Sequence, residues 1–151
     1  MKADTLDYAR FYYAAEKGEN SLIRFMLYNG FNIHESNDLA LRCAAEYGQI
    51  ETVKLLWEHC AYIHILNNSP LRWASYYGET EIVKFLLTHG ANVHAYNDEA
   101  LCNAIRRNHI NTVKCILSYY TKPLSVDSCA YALAQNIARE EIFELVKQKT
   151  V

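Results

Sequence analysis

Apolar positions recur along this chain on two scales. The shorter is helical. Leu41, Ala44, Ala45 and Gly48 fall at i, i+3, i+4 and i+7, and Val53, Leu56 and Trp57 follow at i, i+3 and i+4. This spacing predicts two short helices, each with one apolar face, separated at Gly48 and ending near His59 and Cys60. The longer scale is a period of 30 residues, carried without a gap by Ala14, Ala44, Ala74, Ala104 and Ala134. Three residues before each alanine stand Phe11, Leu41, Leu71, Leu101 and Tyr131. Nine after it stand Ile23, Val53, Val83, Val113 and Phe143, and twelve after it Met26, Leu56, Leu86, Ile116 and Val146. Every column is apolar or aromatic, so each copy is expected to build the same helix pair.

The polar positions punctuate these pairs. Asn37 and Asp38 precede the first helix of their copy as expected N-caps. Gly30 and Gly90 stand at the end of second helices, where a left-handed C-cap suits glycine. Helices of about ten residues are marginal in water, so their stability must come from stacking on neighbours. The prediction is an all-α solenoid of about five helix–turn–helix units in one domain spanning 1–151. Its units run approximately 6–35 (N-terminal cap), 36–65, 66–95, 96–125 and 126–151 (C-terminal cap). The last copy carries Arg139, Glu140, Glu141, Glu144, Lys147 and Lys149, enough charge to face water. Before it, "SYYTKPLS" places Pro123 where Ile33, Ile63 and Val93 stand, so a less regular connection is expected there.

These residues resemble the ankyrin repeat. The stretch "SPLRWASYYGETEIVKFLLTHGANVHA" (69–95) tracks the family's T-P-L-H-x-A-A, G-H-x-E-V-V-x-L-L-L and G-A-D-V-N-A. The resemblance covers the whole chain, with two departures. The family period is about 33 residues; the residues missing here fall between Val93 and Ala100, implying shortened β-hairpin fingers. His34, His64 and His94 replace the family's usual Asn. The short unit N-D-x-A-L-R-x-A-A, seen at 37–45, is similar to ankyrin arrays encoded by giant DNA viruses.

The histidine column invites a chemical reading. A metal site gathers its ligands around one ion, yet stacked helices lie about 8–10 Å apart, so copies of one column cannot share an ion. Hydrogen bonds from imidazole to turn backbone are the expected role. The resemblance adds one alternative, hydroxylation of His34, His64 and His94 by an iron-dependent oxygenase. No GxSxG, phosphate-cradling glycine loop, HExxH or DxDxDG occurs, so no enzyme and no cofactor is expected.

Composition narrows the partner. The net charge of −2 and pI near 6.3 give no basic excess for nucleic acid or an anionic membrane. No apolar run approaches a membrane span, and "MKADTLDYARFYY" lacks the pattern of a secretion signal. The five cysteines form no CxxC pair, which fits a reducing compartment, the cytoplasm or nucleus of a host cell if the chain is viral.

What remains is recognition. With Leu41, Ala44 and Ala45 inside, the same helix turns Cys43, Glu46 and Tyr47 elsewhere; the equivalents are Tyr13, Glu16 and Lys17, then Trp73, Tyr76 and Tyr77, then Asn103, Arg106 and Arg107. The resemblance places this face, with the finger tips, on the family's concave binding surface. Unlike the core columns, these positions vary between copies, as a specific surface on a common scaffold would. Tyr, Trp and Arg are the residues most enriched at hot spots. The expected partner-binding residues are Glu46, Tyr47, Arg72, Trp73, Tyr76, Tyr77, Arg106 and Arg107, with Asn37, Asp38, Asn67, Asn68, Tyr96, Asn97 and Asp98 at the tips. The expected function is non-catalytic binding of a protein partner, with the chain monomeric alone and no small-molecule substrate. The competing expectation is a structural or self-associating repeat protein.

Overall fold

The computed structural model describes residues 5–137 and 139–150. Among them the chain forms α1 (Thr5–Lys17), α2 (Asn20–Tyr28), α3 (Leu39–Glu46), α4 (Ile50–Glu58) and α5 (Ile65–Tyr77). It continues through α6 (Thr80–Thr88), α7 (Ala95–Arg106), α8 (Ile110–Ser118), α9 (Cys129–Ile137) and α10 (Glu140–Lys147). Each odd-numbered helix packs on the next even one and on the next odd one. The odd row is the more tightly packed. Its seam is the alanine column, Ala14, Ala44, Ala74, Ala104 and Ala134, all buried. Without side chains beyond Cβ there, backbones approach closely and the larger apolar columns fill the space between rows. Leu41, Leu71 and Leu101 from the odd row meet Val53, Val83, Val113, Leu56, Leu86 and Ile116 from the even row in one continuous buried core.

Within the first four pairs the reversal is made by a residue in the left-handed region: Gly18, Gly48, Gly78 and, in the fourth copy, Asn108. The next residue's N–H then reaches back to the alanine column, Glu79 N to Ala74 O at 2.9 Å for example. Glycine has a second reason here. A Cβ on Gly78 would lie 2.6 Å from His109 Nδ1, because a long side chain one unit onward lies over each of these glycines. Gln49 covers Gly18 and Glu79 covers Gly48 in the same way. The second helices stop at Gly30, Cys60 and Gly90, again left-handed.

The connection between units differs from the expected shortened β-hairpin. No strand forms in these segments. Instead, residues 36–38, 66–68 and 96–98 each place three consecutive non-glycine residues in the left-handed region, with φ between +47° and +60°. Such backbone costs about 1–2 kcal/mol per residue, so something must hold it.

The third residue of each turn supplies the hold. Asp38 is only 1% exposed. Its Oδ1 accepts from His34 Nδ1 at 2.9 Å and from the Tyr62 N–H at 3.3 Å. Asn68 Oδ1 repeats this with His64 Nδ1 at 3.2 Å and the Asn92 N–H at 2.9 Å. Asp98 Oδ1 accepts from His94 Nδ1 at 2.7 Å, and from the Tyr120 hydroxyl at 2.7 Å in place of a backbone N–H. At the other end Tyr8, 30 residues before Asp38, takes the acceptor's role: its hydroxyl accepts the Asn32 N–H at 3.2 Å.

Two expectations are corrected by this ladder. The Asp38 side chain does not cap its own helix; it turns inward to serve the next unit. The histidines donate to side-chain oxygens rather than to turn backbone. Those oxygens only accept, so each Nδ1 carries the proton. His34 also stacks on Tyr62, with ring centroids 4.2 Å apart. The recurring imidazole therefore serves architecture.

The last connection is irregular, as Pro123 suggested. Tyr120 and Leu124 are buried, and the Leu124 N–H donates to Lys149 O at 2.7 Å. The chain end thus ties back onto the turn before α9.

Candidate functional site

The odd-row helices pack one face on the core and carry a second set of side chains on the opposite, inner-groove side. On α5 this set is Trp73, Tyr76 and Tyr77. Each ring touches the other two: Trp73–Tyr76 at 5.8 Å, Trp73–Tyr77 at 6.2 Å and Tyr76–Tyr77 at 5.1 Å between centroids. They are spaced i, i+3 and i+4, so the helix itself brings them together. Trp73 remains 36% and Tyr77 42% exposed, with Tyr76 half-buried. At the C-cap of α3, one unit away, Tyr47 is exposed, and Lys17 of α1 lies 6.0 Å from its ring centroid. The Tyr77 hydroxyl is held above its usual pKa by desolvation, then by the Glu46 carboxylate beside it.

The next unit contributes charge. The Arg107 guanidinium carbon lies 4.4 Å from the Tyr76 ring centroid, a cation–π contact. Arg106 Nη1 donates to Asn103 Oδ1 at 2.8 Å, and Asn103 Nδ2 donates to Arg72 O at 3.3 Å. Tyr76, Tyr77, Arg106, Arg107 and His109 line an open cleft of about 380 Å³. His109 Nε2 is 3.0 Å from Tyr76 O. A carbonyl only accepts, so Nε2 is the donor and the ring is fixed at the cleft edge. His109 was not among the expected residues. Its signal is positional: it follows the Gly78 column by one unit, where Gln49 and Glu79 already present long side chains.

Arg72, among the expected partner-binding residues, is half-buried. It pairs with Glu99, donates through Nη2 to Leu66 O at 3.1 Å, and lies 4.9 Å from the Tyr96 ring centroid. The turn tips divide. Asn37, Asn67, Tyr96 and Asn97 are exposed, whereas Asp38 and Asn68 are buried and Asp98 half-buried in the ladder. His34 is half-buried, and His64 and His94 are exposed.

Among the described residues, no group of three or more His, Cys, Asp or Glu is arranged to hold a metal ion. No helix there is long and apolar enough to cross a membrane. Cys102 is buried in α7 with its thiol pushed up to about 12, mainly by burial and then by the Cys129 thiol, so it is a poor nucleophile.

Compared with curated proteins, the sequence finds no match. Compared with protein families, it matches ankyrin repeats (3 copies) over residues 11–97 and again over 60–128. With the stacked helix pairs, this covers most of the chain, which belongs to the ankyrin repeat family.

Proposed function

We propose that the chain is a non-catalytic module that binds a partner protein along the inner face of its odd-numbered helices. Trp73, Tyr76 and Tyr77 form the centre, Tyr47 and Glu46 extend it toward the first unit, and Arg106 and Arg107 toward the last. Asn37, Asn67, Tyr96 and Asn97 supply contacts at the rim. The observation that carries this reading is the ring cluster. Three large aromatics pack on each other at the surface while the core is complete without them. Such rings offer amphipathic area at small entropic cost. The membership of the ankyrin family supports protein binding in general. The short unit's resemblance to viral arrays makes a host protein, met in the cytoplasm or nucleus, the partner in this reading.

Affinity capture tests it, comparing wild type with Tyr76→Ala/Tyr77→Ala. The double variant should lose specific partners while its thermal midpoint shows that it still folds. Retention of every wild-type partner by a folded variant would refute this placement of the surface. Light scattering after size exclusion separates the competing reading: a chain that self-associates through this face becomes smaller in the double variant.

A further inference from the structure

We infer that the cleft between α5 and α7 recognises a single acidic side chain, an Asp or Glu carboxylate, within a segment of the partner protein. This rests on the inner-face reading and specifies its chemistry.

Two guanidiniums meet at one cleft, and among the described residues neither forms an ion pair. Arg106 spends one N–H on Asn103, and Arg107 spends its flat face on Tyr76. A guanidinium carries five N–H donors in a rigid fork, so most donors of both remain for an anion between them. Both also arrive positioned. Asn103, tied to Arg72 O, fixes one, and the Tyr76 ring, whose own carbonyl binds His109, fixes the other. Prior ordering lowers the entropic cost of binding, and a paired fork matches the two oxygens of a carboxylate.

The surroundings select one anion over many. The column holding Arg106 reads Glu16, Glu46, Tyr76, Arg106 along the first four units. Of the other cations on this face, Lys17 pairs with Glu16 and Arg72 with Glu99, while Arg42 is half-buried two units before Arg106. A polyanion following this groove would meet Glu46 one unit beyond Tyr76. Nucleic-acid binding needs phosphate contacts along a whole path, which this column denies. An isolated acid flanked by apolar residues meets the arginines and the rings together. Neighbouring helices lie about 10 Å apart and an extended chain rises about 3.3 Å per residue. The acid should therefore lie about three residues from the side chain on Trp73 and Tyr77.

The test is selection from a random twelve-residue peptide display library on the full chain. Recovered peptides should share one isolated Asp or Glu. Arg106→Gln/Arg107→Gln should weaken them about tenfold or more. Changing that acid to its amide in the peptide should weaken binding to wild type equally, leaving little further effect of the double variant. Both arginines are exposed, so the thermal midpoint should hold. Peptides lost on Trp73→Ala but indifferent to the arginine variant would overturn the acidic site and leave the inner-face reading standing. Peptides indifferent to both variants, or no recovered binder, would count against both readings. Tighter binding of a twenty-residue oligothymidylate than of any selected peptide would also overturn the inference.

Discussion

Replacing Asp38 in two ways separates what its oxygen does from what its charge does. Oδ1 accepts two hydrogen bonds, from His34 and from the Tyr62 N–H, while Oδ2 is buried without a partner. Asp38→Ala removes both bonds and strands the Tyr62 N–H. Bonds to a charged acceptor contribute about 1.5–3 kcal/mol each, and relief of the unpartnered buried oxygen returns about 1–3 kcal/mol. The net cost should be about 2–4 kcal/mol, enough to shift a urea midpoint clearly. Asp38→Asn keeps the acceptor, loses charge assistance and also loses the buried charge. The chain already uses this solution at Asn68, with both bonds intact. Its cost should stay within about 1 kcal/mol. Urea unfolding followed by far-UV circular dichroism measures both, and hydrogen exchange at Tyr62 reports the local bond. If Asp38→Asn costs as much as Asp38→Ala, the ladder depends on ionic charge and the reasoning fails. If Asp38→Ala costs nothing, the inward oxygen does not hold the turn.

Further expectations follow from the glycine columns and from the buried acids. Gly90 at φ +93° has open space around a built Cβ, whereas Gly78 at φ +82° meets His109, so urea unfolding should find Gly78→Ala about 1–2 kcal/mol costlier than Gly90→Ala. Cys60 sits at φ +71° where Gly30 and Gly90 stand in other copies, and Cys60→Gly should raise the urea midpoint by about 0.5–1 kcal/mol of stability. Burial pushes the Cys102 thiol up to about 12, and burial with the Asp98 bond raises the Tyr120 hydroxyl as well. In the unfolded chain these groups ionise near pH ~8.5 and ~10. Raised folded values stabilise fully below the unfolded pKa and lose that contribution as pH climbs. Midpoints should therefore fall from pH ~9 upward, by about 1.4 kcal/mol per pH unit for each group released only on unfolding. A flat profile to pH ~11 would refute the burial of both groups, and Cys102→Ala should reduce the earlier part of the slope, leaving the share of Cys43 and Cys115, whose thiols burial also raises.

The sequence disclosed the architecture because its main signals are repeated five times. Columns such as Leu41, Leu71 and Leu101 are apolar in every copy, and all three are buried. The turns were harder. Asn37, Asn67 and Asn97 suit left-handed backbone, but Leu66 and Tyr96 do not, so three left-handed residues in a row could not be read from propensity. Asp38 and Asn68 looked like exposed turn formers because local rules place them there. Their burial is imposed by an N–H lying 24 residues onward, a partner no local rule sees. One internal clue existed: that position is Asp or Asn in all three turns, while the residue two before it is Ser, Leu or Tyr. The inner-face side chains were legible as a group, since the helical spacing of Trp73, Tyr76 and Tyr77 assembles them. The cleft was less so, because His109 and Asn103 join it through contacts between units.

The pairing of a small residue on one unit with a long cover from the following unit has a consequence for growth. Gly18 accepts Gln49, Gly48 accepts Glu79 and Gly78 accepts His109, three unlike covers over one kind of seat. The joint thus demands room, not a particular partner. Duplication of a whole segment, 66–95 for instance, would set Glu79 of the new copy over Gly78 of the old, a combination the seat already tolerates at Gly48. Arrays built on such joints can lengthen or shorten in steps of 30 residues, and with each step the inner groove gains or loses one stripe of side chains.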